Sequence, residues 1–492
     1  MEASLHSLLS LLTFIFVLAV GLGAAYALIL FFVDINQSKS AIRRNYPVIG
    51  RFRYLFEHLG EFFRQYFFAL DREEMPFNRA VRTWVYRAAK DVSTELAFGS
   101  TRNDTNVGDH HFVNSVFPVL EEEKSCSTPI EFGPYCKTPY RAKSFFNISG
   151  MSFGALSKPA VRALAGGAAS AGCWINTGEG GVSPYHLEGG ADVVVQIGTA
   201  KYGVRNERGE LSVSKLKALA EKPNIRMFEI KLSQGAKPGK GGILPAEKVT
   251  AEIAAIRGIP EGEASISPNR HPEINNTQQL LDMVNRVRDL TGKPTGIKLV
   301  MGDPAWLIEL CDVIHARGIE QAPDFITLDS SDGGSGAAPQ PLMDYVGLPL
   351  RESLPLLVDI LNEHNLKQRI RVIASGKLVT PGYAAEALAT GADAIVSARG
   401  FMFALGCIQA MQCNKNTCPT GITTHDTRLQ RGLNVEDKAW RVANYQKKIV
   451  HDVEMIAHSC GVNQPSDLER KHVRLVTENG RSVSMAELYE RR

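Results

Sequence analysis

The chain has 492 residues, 44% of them apolar and 22% charged, with a formal net charge of +3. That balance fits a globular protein with a sizeable core and excludes a nucleic-acid binder built on a basic stripe. Eight cysteines in so long a chain exclude a disulfide scaffold, while 43 glycines, many clustered, favour an α/β enzyme with tight turns beside a ligand.

The first element is a run from Leu5 to Val33 without acid, lysine or arginine. About 20 such residues span a bilayer core, so the run is read as a transmembrane helix. It is too long for an ordinary leader core and has no basic residue before it, although cleavage near AAYA stays open. Residues 34–90 carry eleven Lys/Arg against six Asp/Glu, which puts the body of the protein in the cytoplasm by the positive-inside rule. Segment 51–70, RFRYLFEHLGEFFRQYFFAL, mixes aromatics and charges at helical spacing. It reads either as a helix on the membrane surface or as one packed on its own domain.

Beyond residue 140, short β-branched runs alternate with helical patterns, the rhythm of a parallel sheet. Eight candidate strands fall at 145–150, 173–179, 193–198, 226–232, 295–301, 325–330, 371–376 and 394–399. Eight strand–helix units close naturally as a TIM (βα)8 barrel of the α/β class, with an open doubly wound sheet as the other closure. Polar and glycine-rich residues after nearly every strand favour the barrel, whose active site lies at that face. The expected organisation is an anchor at 1–34, a membrane-proximal helical and loop lead-in at 35–128, the barrel at 129–422 and a C-terminal helical segment at 423–492.

The loops after the last two strands, IASGKL (373–378) and SARGFMFALG (397–406), stand where barrels bind phosphate. Gly376 and Gly400 let the backbone approach, and Lys377 and Arg399 neutralise charge, unless these are simply tight turns. A phosphate handle with these strand ends points to FMN. Met151 and Ser152 would run along one edge of the ring system, and Gln196 would hydrogen-bond its pyrimidine part. Lys298 lies among apolar neighbours and needs a partner or a task, here a positive charge where flavin reduction develops negative charge. The loops NTGEGG (176–181) and SSDGGSGAAP (330–339) offer clusters of N–H groups, with Gly333 and Gly334 counted as cofactor-binding. Glu179 and Asp332 are candidates for proton transfer or substrate orientation. The loop KLSQGAKPGKGGILP (231–245) carries four cations or amides that could grip carboxylates or merely form a solvated lid.

Cys407, Cys413 and Cys418 fall within twelve residues, while Cys126, Cys136, Cys173, Cys311 and Cys460 are scattered. Zinc sites usually offer four ligands with paired cysteines; here the nearest fourth ligand is His425. Three clustered thiols directly after the eighth strand suit a three-iron cluster beside the flavin, with zinc and three free thiols as the remaining readings.

The ordered motifs MSFGALS (151–157), NTGEGG, KLSQGAKPGKGGILP, IKLV (297–300), DGGSGA (332–337) and CNKNTCPTG (413–421) resemble the FMN-binding synthase domain of glutamate synthase. The resemblance runs from about 129 to 470. It implies a barrel with FMN and a 3Fe-4S cluster on Cys407, Cys413 and Cys418, and reductive amination of 2-oxoglutarate, with Glu179 and Lys298 near substrate and flavin. The family's glutamine amidotransferase domain and C-terminal β-helical domain are not matched, so ammonia or an amine is expected from solution or a partner subunit. The run KLVMGDPAW (298–306) departs from the family and leaves another oxo-acid and amine pair open, as in an N-alkylglutamate synthase. An electron-transfer subunit without turnover is the third reading. No G-x-G-x-x-G opens a helix after a strand, so a separate donor, a ferredoxin or a pyridine-nucleotide-linked subunit, is expected.

Overall fold

The computed structural model describes residues 2–124 and 127–490; Cys126 lies outside them. By contacts the chain forms two compact units, residues 1–80 and 81–492. The first is helical. Helix α1 (Glu2–Asn36) is, among the described residues, the one helix long and apolar enough to cross a membrane. A short connector leads to α2 (Gly50–Phe63).

The second unit is built on eight parallel strands: β1 (Phe146–Gly150), β2 (Ile175–Asn176), β3 (Val193–Ile197), β4 (Ile225–Lys231), β5 (Thr295–Val300), β6 (Phe325–Asp329), β7 (Arg371–Ser375) and β8 (Ala394–Ser397). They close in chain order, β8 pairing β1. All eight expected strands are present and the barrel, rather than the open sheet, is the closure. The strands read as continuous β-branched runs because a parallel barrel covers both faces, inside with side chains and outside with helices.

The helices start and stop where local chemistry dictates. In α3 (Lys158–Ala171) the Ser157 hydroxyl accepts from the Ala160 amide, Pro159 lies in the first turn, and left-handed Gly172 ends it. Helix α4 (Arg399–Leu405) follows β8 directly, and α5 (Val435–Ser459) begins at an Asn434 cap. Helix α5 lies along α3 so closely that a Cβ on Gly167 would collide with Val442. The C-terminal segment is thus part of the barrel's outer layer.

The N-terminal end of the barrel is sealed. A hairpin of Ile130–Phe132 and Tyr140–Ala142 puts Phe132 edge-on to Trp174 and Phe325, at ring distances of 5.7 and 5.8 Å. Met227, Ile373 and Val194 complete this apolar floor. Water is therefore excluded below, and the open end lies at the strands' C-termini.

Candidate active site

Side chains alternate along a strand, so residues two apart point into the barrel. On β4, Met227 belongs to the floor, Glu229 lies above it and Lys231 at the rim. The middle layer is a buried hydrogen-bond network. Glu229 Oε1 accepts from Asn176 Nδ2 at 2.8 Å and Gln196 Nε2 at 2.7 Å, and Oε2 accepts from Thr327 Oγ1 at 2.6 Å. A carboxylate 2% exposed survives only with such partners. The network fixes the orientation of the Gln196 amide.

The upper layer holds Lys298 and Asp329, 3.3 Å apart. Asp329 also accepts from the Gly235 amide and from Ser375 Oγ, each at 3.0 Å. Burial works against the Lys298 ammonium, but Asp329 and then Glu229 outweigh it and hold its pKa above the ordinary lysine value. Lys298 therefore has both a partner and a stable positive charge.

At the rim, Glu179 Oε2 lies 3.1 Å from Lys231 Nζ. Burial disfavours the Glu179 carboxylate, yet Lys231 and Lys237 more than compensate and keep its pKa below the usual carboxylate value. Burial brings Lys237 down to about 8 against the pull of Glu179. Arg257, also buried, stacks over Tyr202 at 5.1 Å and bonds Ser265 Oγ at 3.0 Å. Glu179 is enclosed tightly: a Cβ on Gly242 would strike its carboxylate.

These groups border one cleft of about 980 Å³, counted out to its open mouth. One wall is the β1 end, Gly150, Met151 and Ser152, facing Gly178, whose φ of +62° favours glycine and where an added Cβ would lie 2.8 Å from the Ser152 amide. His186 supports this wall. Its Nε2 bonds the Met151 carbonyl at 2.8 Å and its Nδ1 accepts from the Ser183 amide, and burial lowers its pKa to about 4. The opposite wall holds Arg399, which donates to the Ser335 carbonyl at 2.8 Å, with Gly334 packed on its guanidinium.

The third wall is the cysteine loop. Cys413, Asn414 and Thr423 line the cleft. Buried Lys248 fastens this loop, donating to the carbonyls of Ala155 at 3.0 Å, Cys413 at 3.2 Å and Thr423 at 2.9 Å. Three non-glycine residues, Gln409, Met411 and Asn416, take left-handed conformations there, the kind of strain a packed functional loop retains. The Cys407 thiol is pushed up to about 11 by burial. For Cys418, hydrogen bonds from Thr420 and Thr423 overcome burial and lower the pKa. His425 Nε2 is engaged by the Gly154 carbonyl at 2.8 Å. Among the described residues no group of three or more His, Cys, Asp or Glu side chains could hold a single metal ion. A cluster with one iron per thiolate does not require three sulfurs at one point.

Of the residues singled out from sequence, Met151, Ser152, Glu179, Gln196, Gly334, Arg399 and Cys413 meet at the cleft. Lys298 lies one layer below, linked through Asp329, and Gly333 sits so close to that carboxylate that an added Cβ would lie 2.9 Å from it. Gly376, Lys377 and Gly400 stand outside the lining. A Cβ on Gly376 would collide with Ser330, and one on Gly400 with Tyr445, while Lys377 is 3.9 Å from Asp332. Protein packing thus already demands both glycines. Glu229, Asp329, Lys248 and Arg257 escaped the sequence reading. A lone charge inside an apolar run, as in RMFEIKL and FITLDS, was the available signal for the first two.

Residues 106–463 match the conserved region in glutamate synthase. The glutamate synthase large subunit-like protein YerD of Bacillus subtilis is 39% identical over 494 positions, covering 92% of this chain and 93% of that protein. The archaeal glutamate synthase (NADPH) of Methanocaldococcus jannaschii is 36% identical over 332 residues, 67% of this chain and 61% of its own length. A glutamate synthase large subunit-like protein of Rhizobium meliloti is 27% identical, covering 76% of this chain and 84% of that one.

Proposed function

The chain belongs to the glutamate synthase family and is a glutamate synthase-like oxidoreductase; on that premise we propose that it carries FMN and a 3Fe-4S cluster and reductively aminates 2-oxoglutarate with externally supplied ammonia or amine. The single observation that carries the reading is that Cys413 of the thiol loop lines the same cleft as Met151, Gln196 and Glu179.

The donor set fits both groups. Gly150 and Gly178 let the β1 and β2 loops pack tightly into one wall at Met151 and Ser152, Gln196 offers an oriented amide, and Arg399 offers a cation for a phosphate, with Gly334 packed against it. Gly333, Gly376, Lys377 and Gly400 shape the loops on that phosphate side. Cys407, Cys413 and Cys418 supply three thiolates from one strained loop. When bound, FMN would supply hydride chemistry for reducing an imine of oxo-acid and ammonia, and a cluster on Cys407, Cys413 and Cys418 would supply single-electron transfer.

The chain's own residues do the rest. Lys231, Lys237 and Arg257 form a cationic rim around Glu179 that binds the carboxylates of an oxo-acid. Glu179 orients the substrate nitrogen by accepting its N–H and relays a proton there. Lys298, aligned by Asp329, would supply a positive charge where flavin reduction develops negative charge. Glu229 keeps the Gln196 amide from rotating. The electron donor in this reading is a separate ferredoxin or pyridine-nucleotide-linked subunit. Residues 5–36 anchor the protein as a single membrane span with the barrel in the cytoplasm, supported by the basic excess that follows the span.

The test is a single-turnover assay on the full chain in detergent. Reduced anaerobically with an artificial donor, it should be reoxidised by 2-oxoglutarate plus ammonium with formation of glutamate. Reoxidation by a different oxo-acid and amine pair, with none by this one, would overturn the substrate assignment. No flavin in the purified chain would overturn the whole reading.

A further inference from the structure

The helix that follows the apolar span presents a continuous apolar face. In α2 and the π turn that extends it to Phe68, the residues at 52, 55, 56, 59, 63, 66 and 67 recur at intervals of three and four and so share one side. Phe56 is 65% exposed and Phe67 74%, so nothing among the described residues of 1–80 covers this stripe. Scattered exposed apolar side chains are ordinary, but a contiguous aromatic stripe marks an interaction surface. The other side carries Arg53, Glu57 and Arg64.

The start of α2 is tied to the end of α1. Asp34, fully buried, accepts from Arg51 Nε at 2.8 Å, Arg51 Nη2 at 2.7 Å and the Val48 amide at 3.1 Å. Ser40 Oγ and Tyr54 OH meet at 2.8 Å. If residues 5–36 span the bilayer, as the proposed function holds, this joint lies at headgroup level and α2 begins there. Residues 39–64 carry Lys39, Arg43, Arg44, Arg51, Arg53 and Arg64 against Glu57, paired to Arg53 at 3.1 Å, and Glu61. That excess suits anionic headgroups.

We propose that residues 50–68 form an interfacial helix lying in the headgroup layer of an anionic bilayer, with the Phe52–Phe56–Phe67 stripe against the acyl chains. The protein is then held by two adjoining contacts, a span and a surface helix. The aromatic stripe supplies the apolar burial, and the basic residues set the preference for anionic lipid.

The full chain reconstituted in vesicles of phosphatidylglycerol and phosphatidylcholine tests this. Phe56→Trp, Phe67→Trp and, on the polar side, Glu57→Trp each add emission over the wild-type background. Brominated lipid should reduce the added emission of the first two about twofold or more and leave that of Glu57→Trp nearly unchanged. Blue-shifted but unquenched emission at 56 and 67 would mean protein covers the stripe and would overturn the proposal, as would water-like emission at both. Equal quenching in phosphatidylcholine alone would overturn the anionic preference. Carbonate extraction separates the two readings: a protein removed from the vesicles by carbonate refutes the span, whereas an integral protein with an unquenched stripe refutes only the surface helix.

Discussion

Replacing Glu229 by Leu is the sharpest probe of the cleft's foundation. The change keeps the volume and removes the acceptor of three buried donors: Asn176 Nδ2, Gln196 Nε2 and Thr327 Oγ1. Each stranded donor costs about 1–3 kcal/mol, offset by no longer burying a carboxylate, so a net loss of about 3–5 kcal/mol is expected. For a unit of roughly 400 residues this corresponds to an apparent Tm about 4–6 °C lower. Glu229→Gln should cost only about 1 kcal/mol, because its amide oxygen can still accept from Asn176 and Gln196 while Thr327 rotates to accept from the new NH2. The assay is thermal unfolding of the full chain in detergent, together with the flavin retained on gel filtration. Glu229→Leu should lose flavin as well as stability, since the Gln196 amide is then free to turn. A Glu229→Leu protein with wild-type Tm and full flavin would refute the reasoning.

Oxo-acid affinity should fall as pH rises through about 8, where Lys237 loses the charge that burial has made labile. The KM for 2-oxoglutarate should show this inflection, and Lys237→Arg, always protonated, should abolish it. Glu179→Gln should leave flavin binding intact and lower the single-turnover rate by about 10²-fold or more, read by stopped-flow reoxidation. Cys413→Ser should remove the cluster's paramagnetic signal while the flavin absorbance persists. Phe132→Ala, at the sealed end, should destabilise by about 3–5 kcal/mol in thermal unfolding with no change in the flavin spectrum.

The barrel was legible because its strands are buried on both faces, which leaves short β-branched runs such as VVVQI and RVIAS bounded by polar turns. Gln196 and Lys298 were legible for the same reason, as polar residues that break those runs inside the barrel, and Glu179 as the acid in the glycine-rich loop that follows β2. Glu229 carries the same mark as Lys298, a charge among apolar neighbours, but its partners come from β2, β3 and β6 and no local pattern names them. Lys248 and Arg257 were hidden more deeply. Their positions depend on how residues 231–257 fold back over the cleft, a long-range matter in which Lys248 bonds carbonyls 93, 165 and 175 residues away. Gly376 and Gly400 show the converse. Sequence reads them as openings for a phosphate, whereas Ser330 and Tyr445 already press against those backbones.

The central claim is that a flavin and an iron–sulfur centre share one barrel mouth. Absorbance and electron paramagnetic resonance of the anaerobically purified full chain test it most directly. The account predicts flavin bands and a three-iron signal in equal amounts, both from the same protein. A chain holding zinc or free thiols at Cys407, Cys413 and Cys418, with no iron signal, would contradict it.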